Sequence, residues 1–261
     1  MYKLGVIGGT GWMGSAMLNS VLTEGIFAPD EVALSNSDGA FLPGFPEVPV
    51  FRDSQAMSER TQCLVLSVRP EHFPRLSLDL SGKLVISIMA GVSVSQIQQA
   101  TRSNKIIRAM PNAAAAIKES YTPYFASLNV SEIDLKLATS FLGAFGQWDA
   151  LETEDELGYF VALTGSGHGT LAYFASALID AAKEHGIEPV LAERAVRQLM
   201  KGMGQLVGEE LNSPAVTVDR VVTYGGTTCR LIETMAQQGV DRGIAKALQA
   251  AYLRATSDMT K

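Results

Sequence analysis

Cysteine is scarce in this 261-residue chain. Cys63 and Cys229 form no C-x-x-C and are too few for a disulfide framework. Free thiols in a reducing compartment are the expectation. The three histidines, His72, His168 and His185, do not join Cys, Asp or Glu at metal-ligand spacing, so no metal is expected. Positive charge is not in excess: the formal net charge is −6, which argues against a nucleic-acid partner. No apolar run is long enough to span a bilayer, and "MYKLGVIGG" passes directly into a strand pattern, so no secretory leader is expected. The expectation is a cytoplasmic protein with no membrane partner. A nucleophile elbow is also missing, because "TGSGHG" lies in a helical stretch instead of a strand-to-helix turn.

Apolar residues, at 47%, are enough to bury a sizeable core, in one large domain or two small ones. Residues 1–150 alternate short apolar runs with helical stretches. The runs Lys3–Gly8, Glu31–Ser35, Cys63–Val68, Leu84–Met89 and Lys105–Met110 read as strands covered on both faces. "TPYFASL" reads as a later strand. Met13–Glu24, Val94–Thr101 and Glu132–Phe145 read as helices, and the Pro-rich Pro43–Val50 as a loop. This is the grammar of an α/β, doubly wound parallel sheet of Rossmann type. From residue 151 to 261 the strand pattern stops. Leu157–Gly186, Val190–Leu211 and Gly239–Met259 show helical spacing and are apolar on more than one face. Such helices need cover on both sides, so a C-terminal all-α dimerisation domain and a homodimer, or an oligomer of dimers, are expected.

In "GVIGGTGWMGSAM", Gly9, Gly11 and Gly14 have the spacing G-x-G-x-x-G between a strand and a helix. Gly9 would allow the tight turn, Gly11 the approach of a pyrophosphate, and Gly14 close helix–strand packing, with the phosphates at the helix N-terminus. Gly9, Thr10, Gly11, Trp12, Met13 and Gly14 are therefore candidate dinucleotide contacts. After the second strand, Ser35, Asn36 and Ser37 stand where NAD-preferring proteins carry an acid for the ribose 2′-hydroxyl. Short polar side chains accommodate a 2′-phosphate, so NADPH is expected over NADH, although no Arg lies in this turn. Val68, Arg69 and Pro70, then Ala90, then Asn112, follow later strands and complete the candidate cofactor contacts. For Arg69 a solvated loop role, and for Asn112 a loop-shaping role, remain open beside this one.

In the helical half, "VTYGGTTC" (Val222–Cys229) interrupts the helical pattern with two glycines and two threonines. Two readings stand. One is a turn whose Thr caps the next helix. The other is an anion site of backbone N–H groups and hydroxyls. His168 follows Ser166-Gly167 at an expected helix N-terminus, where the dipole favours a neutral imidazole. It is read as a general acid, a substrate ligand, or a side chain merely packed at a subunit contact.

Taken together, Gly9–Gly14, "VLSVRP" (Val65–Pro70), "ISIMAGVS" (Ile86–Ser93), "IIRAMPN" (Ile106–Asn112), "TGSG" (Thr164–Gly167) and "GGTT" (Gly225–Thr228) resemble the pyrroline-5-carboxylate reductases, the last enzymes of proline biosynthesis. The resemblance runs over nearly the whole chain. It implies NAD(P)H bound by the N-terminal domain and helices that interlock two subunits. It also implies a cyclic imine held at Thr223, Gly225, Gly226, Thr227 and Thr228, with Thr228 nearest the ring nitrogen. The sequence departs from the family pattern where substrate is chosen. His168-Gly169-Thr170 replaces Pro-Ala-Tyr, Thr223-Tyr224 replaces Ser-Pro, Arg230-Leu231 replaces Ala-Gly, and Ala113-Ala114 replaces Thr-Pro. Three functions follow: reduction of pyrroline-5-carboxylate itself, reduction of another small cyclic imine or oxo acid, and a non-catalytic NADP-binding regulator.

Overall fold

The computed structural model describes residues 1–209 and 212–257. They group into two compact units, Met1–Gly167 with the chain from Ala250 onward, and His168–Gln249. The first unit is built on one eight-stranded sheet in the order β3-β2-β1-β4-β5-β6-β7-β8. Its strands are β1 (Tyr2–Ile7), β2 (Val32–Ser35), β3 (Val50–Phe51), β4 (Thr61–Leu66), β5 (Leu84–Ser87), β6 (Lys105–Ala109), β7 (Ser120–Ala126) and β8 (Gly146–Ala150). Strands β1 to β6 are parallel, β7 runs antiparallel to β6, and β8 is parallel to β7.

The near-continuous apolar runs are explained by cover on both faces. Leu4 and Val6 of β1 and Cys63 and Val65 of β4 join one buried cluster, with Met17, Leu18 and Val21 of α1 (Trp12–Thr23) and Phe141 and Leu142 of α4 (Glu132–Gly143). Their neighbours Ile7, Leu64 and Leu66 join a second cluster, with Met57 of α2 (Ser54–Glu59) and Ile97 of α3 (Val94–Thr101). Alternate residues of each strand thus feed opposite layers, and no face is left for polar residues.

The sequence reading misses three elements here. β3 has two residues, too few to leave a pattern, and begins at Val50, inside the expected loop. β8 is a polar edge strand with Gln147 to Ala150 exposed. α2 is one and a half turns held by Asp53, whose Oδ1 accepts from Gln55 N at 2.8 Å and Ala56 N at 3.2 Å. The expected continuous helix Leu157–Gly186 is also corrected. It divides into α5 (Glu154–Phe160), a π-turn over Val161–Gly165, and α6 (Gly167–Glu184). The π-turn inserts an extra residue per turn, which the 3.6-residue spacing does not reveal.

One buried charge ties this unit together. Arg108, at 1% side-chain exposure on β6, donates to Glu154 Oε1 at 2.6 Å. The same oxygen accepts from Val94 N at 2.7 Å, so the first residue of α5 joins a central strand to the start of α3.

The second unit consists of helices: most of α6, then α7 (Pro189–Glu209), α8 (Pro214–Tyr224), α9 (Thr227–Gln237) and the first part of α10 (Val240–Ser257). The expected helix ends at Leu211 and Met259 lie outside the described residues. Of this unit's apolar side chains, Ala192, Val196 and Cys229 are buried, whereas Tyr173 is 75% exposed, Val190 66% and Leu231 59%. Within the chain these helices leave much of their apolar surface bare, a condition that calls for a partner surface. No described helix is long and apolar enough to cross a membrane.

Glu154→Ala is expected to lower stability by about 3 kcal/mol in urea unfolding, the scale of removing one partner of a buried ion pair. Glu154→Gln should cost less, because it still accepts from Val94 N. Equal stability of all three proteins would show that the pair is not structural.

Candidate active site

After β1 the chain lays β2 and β3 on one side and returns to place β4 on the other, so the strand order reverses between β1 and β4. In open parallel sheets, ligands bind beyond the carboxyl ends of the strands at such a point. The registers Ile7↔Ser35, Ile7↔Leu66, Leu66↔Ser87 and Ser87↔Arg108 align the ends of β2, β1, β4, β5 and β6 along one edge. Every candidate cofactor residue follows one of these ends. They are Gly9–Gly14 after β1, Ser35–Ser37 at and after β2, Val68–Pro70 after β4, Ala90 after β5 and Asn112 after β6.

The glycine loop works by close approach, with one change from the sequence reading. The tight turn depends on Gly8, not Gly9. Gly8 has φ +81°, and a Cβ there would lie 2.4 Å from Ser67 O, on the neighbouring strand's end. Gly8 N donates to Ser35 O at 2.8 Å, and Ser67 N donates to Ile7 O at 2.9 Å, so β2, β1 and β4 close on this residue. The doubled Gly8-Gly9 was the available signal. Gly9 is buried, and its Cβ would meet Leu34 Cβ at 2.7 Å. A Cβ on Gly14 would stand 2.4 Å from Gly8 O, so the expected close helix–strand packing is present.

Gly11 differs from the other three. It is the exposed N-cap of α1, and a Cβ there meets only Gly8 O at 3.2 Å and Ser67 O at 4.0 Å. No side chain caps this helix, so the N–H groups of its first turn have no side-chain acceptor at the N-cap. The surroundings therefore fit a pyrophosphate laid against Gly11 and the start of α1. Trp12 is exposed beside the loop, and Met13 packs partly against the first core cluster.

At the end of β2, Ser35 is fully buried, with its Oγ 2.9 Å from Ser54 Oγ, so its hydroxyl is engaged inside the protein. Asn36 Nδ2 donates to Thr10 Oγ1 at 3.1 Å and to Ala40 O at 2.8 Å, and its Oδ1 accepts from Gly39 N at 2.6 Å. Asn36 thereby fixes this turn to the glycine loop. Ser37 is exposed at the turn. The sequence reading missed Arg52, which follows β3 and returns to this turn, where Nη2 donates to Asp38 O at 3.1 Å. Only the pairing of β3 with β2 makes it a neighbour.

Beyond β4, Val68 is half-buried and Arg69 and Pro70 are exposed, with Arg69 Nη1 a loose 3.9 Å from Glu71 Oε1. Ala90 is exposed before Gly91, whose φ is +72°. A cleft of about 720 Å³ beside these ends is lined by Pro70, Glu71, Phe73, Gly91, Gln96 and Arg254. Asn112 shapes its loop: Oδ1 accepts from Ala114 N at 3.0 Å, and its own N–H donates to Ser120 Oγ at 3.0 Å.

In the helical unit, the capping role expected for Thr227 or Thr228 is corrected. α8 ends in Gly225, at φ +75°, and Gly226 is the N-cap of α9 with no side-chain hydrogen bond. Leaving the left-handed turn through an extended glycine puts Thr227 and Thr228 one and two positions inside the helix, too far along to cap it. Their hydroxyls make no hydrogen bond among the described residues, and Thr223, Thr227 and Thr228 are exposed. His168 is exposed in the first turn of α6 and bonds to none of the described residues. Next to Thr228, burial foremost, and then Glu233, push the Cys229 thiol up, and burial does the same to Cys63, so neither is a ready nucleophile. No described His, Cys, Asp or Glu residues form a metal-binding group of three or more.

A doubly wound sheet with a glycine-cradled switch point, followed by a helical unit with bare apolar faces, defines a dinucleotide-binding oxidoreductase. The comparisons narrow this class. Residues 154–258 match the family model described as pyrroline-5-carboxylate reductase dimerisation, and residues 3–91 match one described as NADP oxidoreductase, coenzyme F420-dependent. A pyrroline-5-carboxylate reductase of Synechocystis sp. is 32% identical over 260 residues, covering 97% of this chain and 96% of the relative. A solved pyrroline-5-carboxylate reductase from Coxiella burnetii superposes with TM-score 0.88 at 26% identity, covering 98% of both chains. The pyrroline carboxylate reductase of Plasmodium falciparum, solved with NADP bound, has the same fold, with TM-score 0.84 at 22% identity over 99% of this chain and 98% of that one. The chain belongs to the pyrroline-5-carboxylate reductase family.

Gly8→Ala is expected to destabilise the fold by about 2–4 kcal/mol, combining a left-handed φ with a backbone clash. Gly11→Ala should cost about 1 kcal/mol or less, the scale of a changed N-cap. Thermal unfolding of the unliganded variants checks both, and equal losses would mean that Gly11 is held by packing and not by a ligand.

Proposed function

We propose that this protein is an NADPH-dependent imine reductase that converts 1-pyrroline-5-carboxylate to proline. The observation that carries the reading is the bare start of α9. Its N–H groups lack a side-chain cap, and two free hydroxyls stand beside them after a glycine pair. That arrangement suits a small carboxylate. Gly225 and Gly226 clear the approach, Thr223 and Thr227 hold the acid group, and Thr228 faces the ring nitrogen.

The chemistry asks little more of the protein. An imine nitrogen is basic enough to be protonated before reduction, so orientation and hydrogen bonding replace a strong acid. When bound, the nicotinamide supplies the hydride to the imine carbon. Residues 1–150 hold the cofactor in this reading: Gly9–Gly14 the pyrophosphate, Asn36 and Ser37 with the Ser35 backbone the adenosine end, and Val68, Arg69, Pro70, Ala90 and Asn112 the nicotinamide end. Residues 151–261 hold the substrate and a second copy of the chain, and the protein works in the cytoplasm as a dimer or an oligomer of dimers.

A second reading rests on His168, an exposed imidazole at the start of α6 where the family pattern has proline. There, His168 serves another small cyclic imine or an oxo acid as ligand or general acid. NADPH oxidation across a panel of cyclic imines and 2- and 3-oxo acids separates the two, with pyrroline-5-carboxylate expected to have the highest kcat/KM. For imine reduction, His168→Ala should change KM more than kcat. A loss of about 10²–10⁴ in kcat would identify a general acid and carbonyl chemistry.

Thr228→Ala is expected to lower kcat/KM by about 1–3 kcal/mol, with NADPH affinity unchanged. Thr228→Ser should keep most of the activity. A Thr228→Ala enzyme that loses stability but no activity would remove the site from this segment. Sedimentation at micromolar concentration should find no monomer, and a stable monomer would contradict the role given to the helical half.

A further inference from the structure

We infer that Arg52 is the cation that receives the 2′-phosphate of NADPH and so sets the preference over NADH. This rests on the reading above that the strand-end edge holds NADPH. The turn after β2 has no basic residue of its own between Ser35 and Gly39, and its acid is Asp38. Asp38 is exposed, and its Oδ1 accepts from Ala40 N at 3.1 Å, so one of its carboxylate oxygens is engaged in shaping the turn. Asn36 holds the turn rigid through Thr10, Gly39 and Ala40.

Arg52 comes to this turn from the adjacent strand, since Ser35 pairs with Phe51. Its guanidinium lies over the bare face of Gly39. A Cβ on Gly39, whose φ is +75°, would stand 2.9 Å from Nε. The bond from Nη2 to Asp38 O, at 3.1 Å, fixes one edge of the fork. Among the described residues Arg52 makes no ion pair and no other hydrogen bond. The next residue, Asp53, is turned away to cap α2 through Gln55 N and Ala56 N. An exposed, oriented guanidinium with spare N–H donors therefore stands at the turn where the adenosine ribose binds in such folds. A planar fork of this kind matches a phosphate dianion and gains little from a hydroxyl.

The test is binding, not turnover. Dissociation constants for NADPH and NADH are measured by calorimetry on the full-length protein and on Arg52→Ala and Arg52→Lys, with 2′,5′-ADP and 5′-ADP as cofactor fragments. Wild type should prefer NADPH, and 2′,5′-ADP over 5′-ADP. Arg52→Ala should weaken NADPH and 2′,5′-ADP by about 10–100-fold, the loss of a charge-assisted pair, and leave NADH and 5′-ADP within about twofold. Arg52→Lys should recover part of the loss. A wild type that prefers NADPH, with an Arg52→Ala variant that keeps the preference or weakens both dinucleotides alike, overturns the assignment alone. A wild type without preference for NADPH overturns the cofactor reading and the assignment with it.

Discussion

The α1 helix meets the sheet backbone to backbone. At Gly14 a single added carbon would stand 2.4 Å from Gly8 O, and at Gly8 the same distance from Ser67 O. Three strand ends and the first turn of a helix share a space that admits no side chain. The approach brings the uncapped N–H groups of α1 to the reversal of strand order. Gly11 is exposed, and a Cβ there would meet the Gly8 carbonyl oxygen at 3.2 Å, a far looser approach than at Gly8 or Gly14. A larger side chain at Gly11 would project toward the space that a pyrophosphate takes in folds of this kind.

The same edge determines which polar residues are available to a ligand. Ser35, Asn36 and Ser37 are adjacent in sequence but differ in function. Ser35 is closed inside against Ser54, Asn36 binds the turn to Thr10, and Ser37 is left exposed. The positive charge near them comes from Arg52, the residue that follows a two-residue strand. The helical unit shows the complementary case. Its helices bury few apolar side chains within the chain, which accords with the match of residues 154–258 to a dimerisation model.

Strands β1, β2, β4, β5 and β6 were legible in the sequence because both of their faces are buried, which makes them unbroken apolar runs. β8 was not, because as an edge strand it carries polar residues, and β3 is too short to show a pattern. The glycine loop was legible as a motif, but the motif points to Gly9 while the left-handed φ belongs to Gly8, a matter of a local turn that spacing does not encode. Arg52 was hidden for a different reason, since its closeness to the Ser37–Gly39 turn exists only through the pairing of β3 with β2. The Thr227–Thr228 pair was legible as special, and of the readings it offered the cap fails, because composition does not say which residue becomes the N-cap. The left-handed Gly225 decides that.

The central claim is that the dinucleotide and the substrate carboxylate engage two separate helix N-termini, α1 and α9. Amide hydrogen exchange, compared between the free protein, its complex with NADP⁺, and that complex with proline added, reads both at once. NADP⁺ should slow exchange at Gly11–Gly14 and at the Asn36–Gly39 turn, and proline should add protection at Thr227–Cys229. Protection by NADP⁺ that spares the start of α1, or by proline that spares the start of α9, would contradict the account.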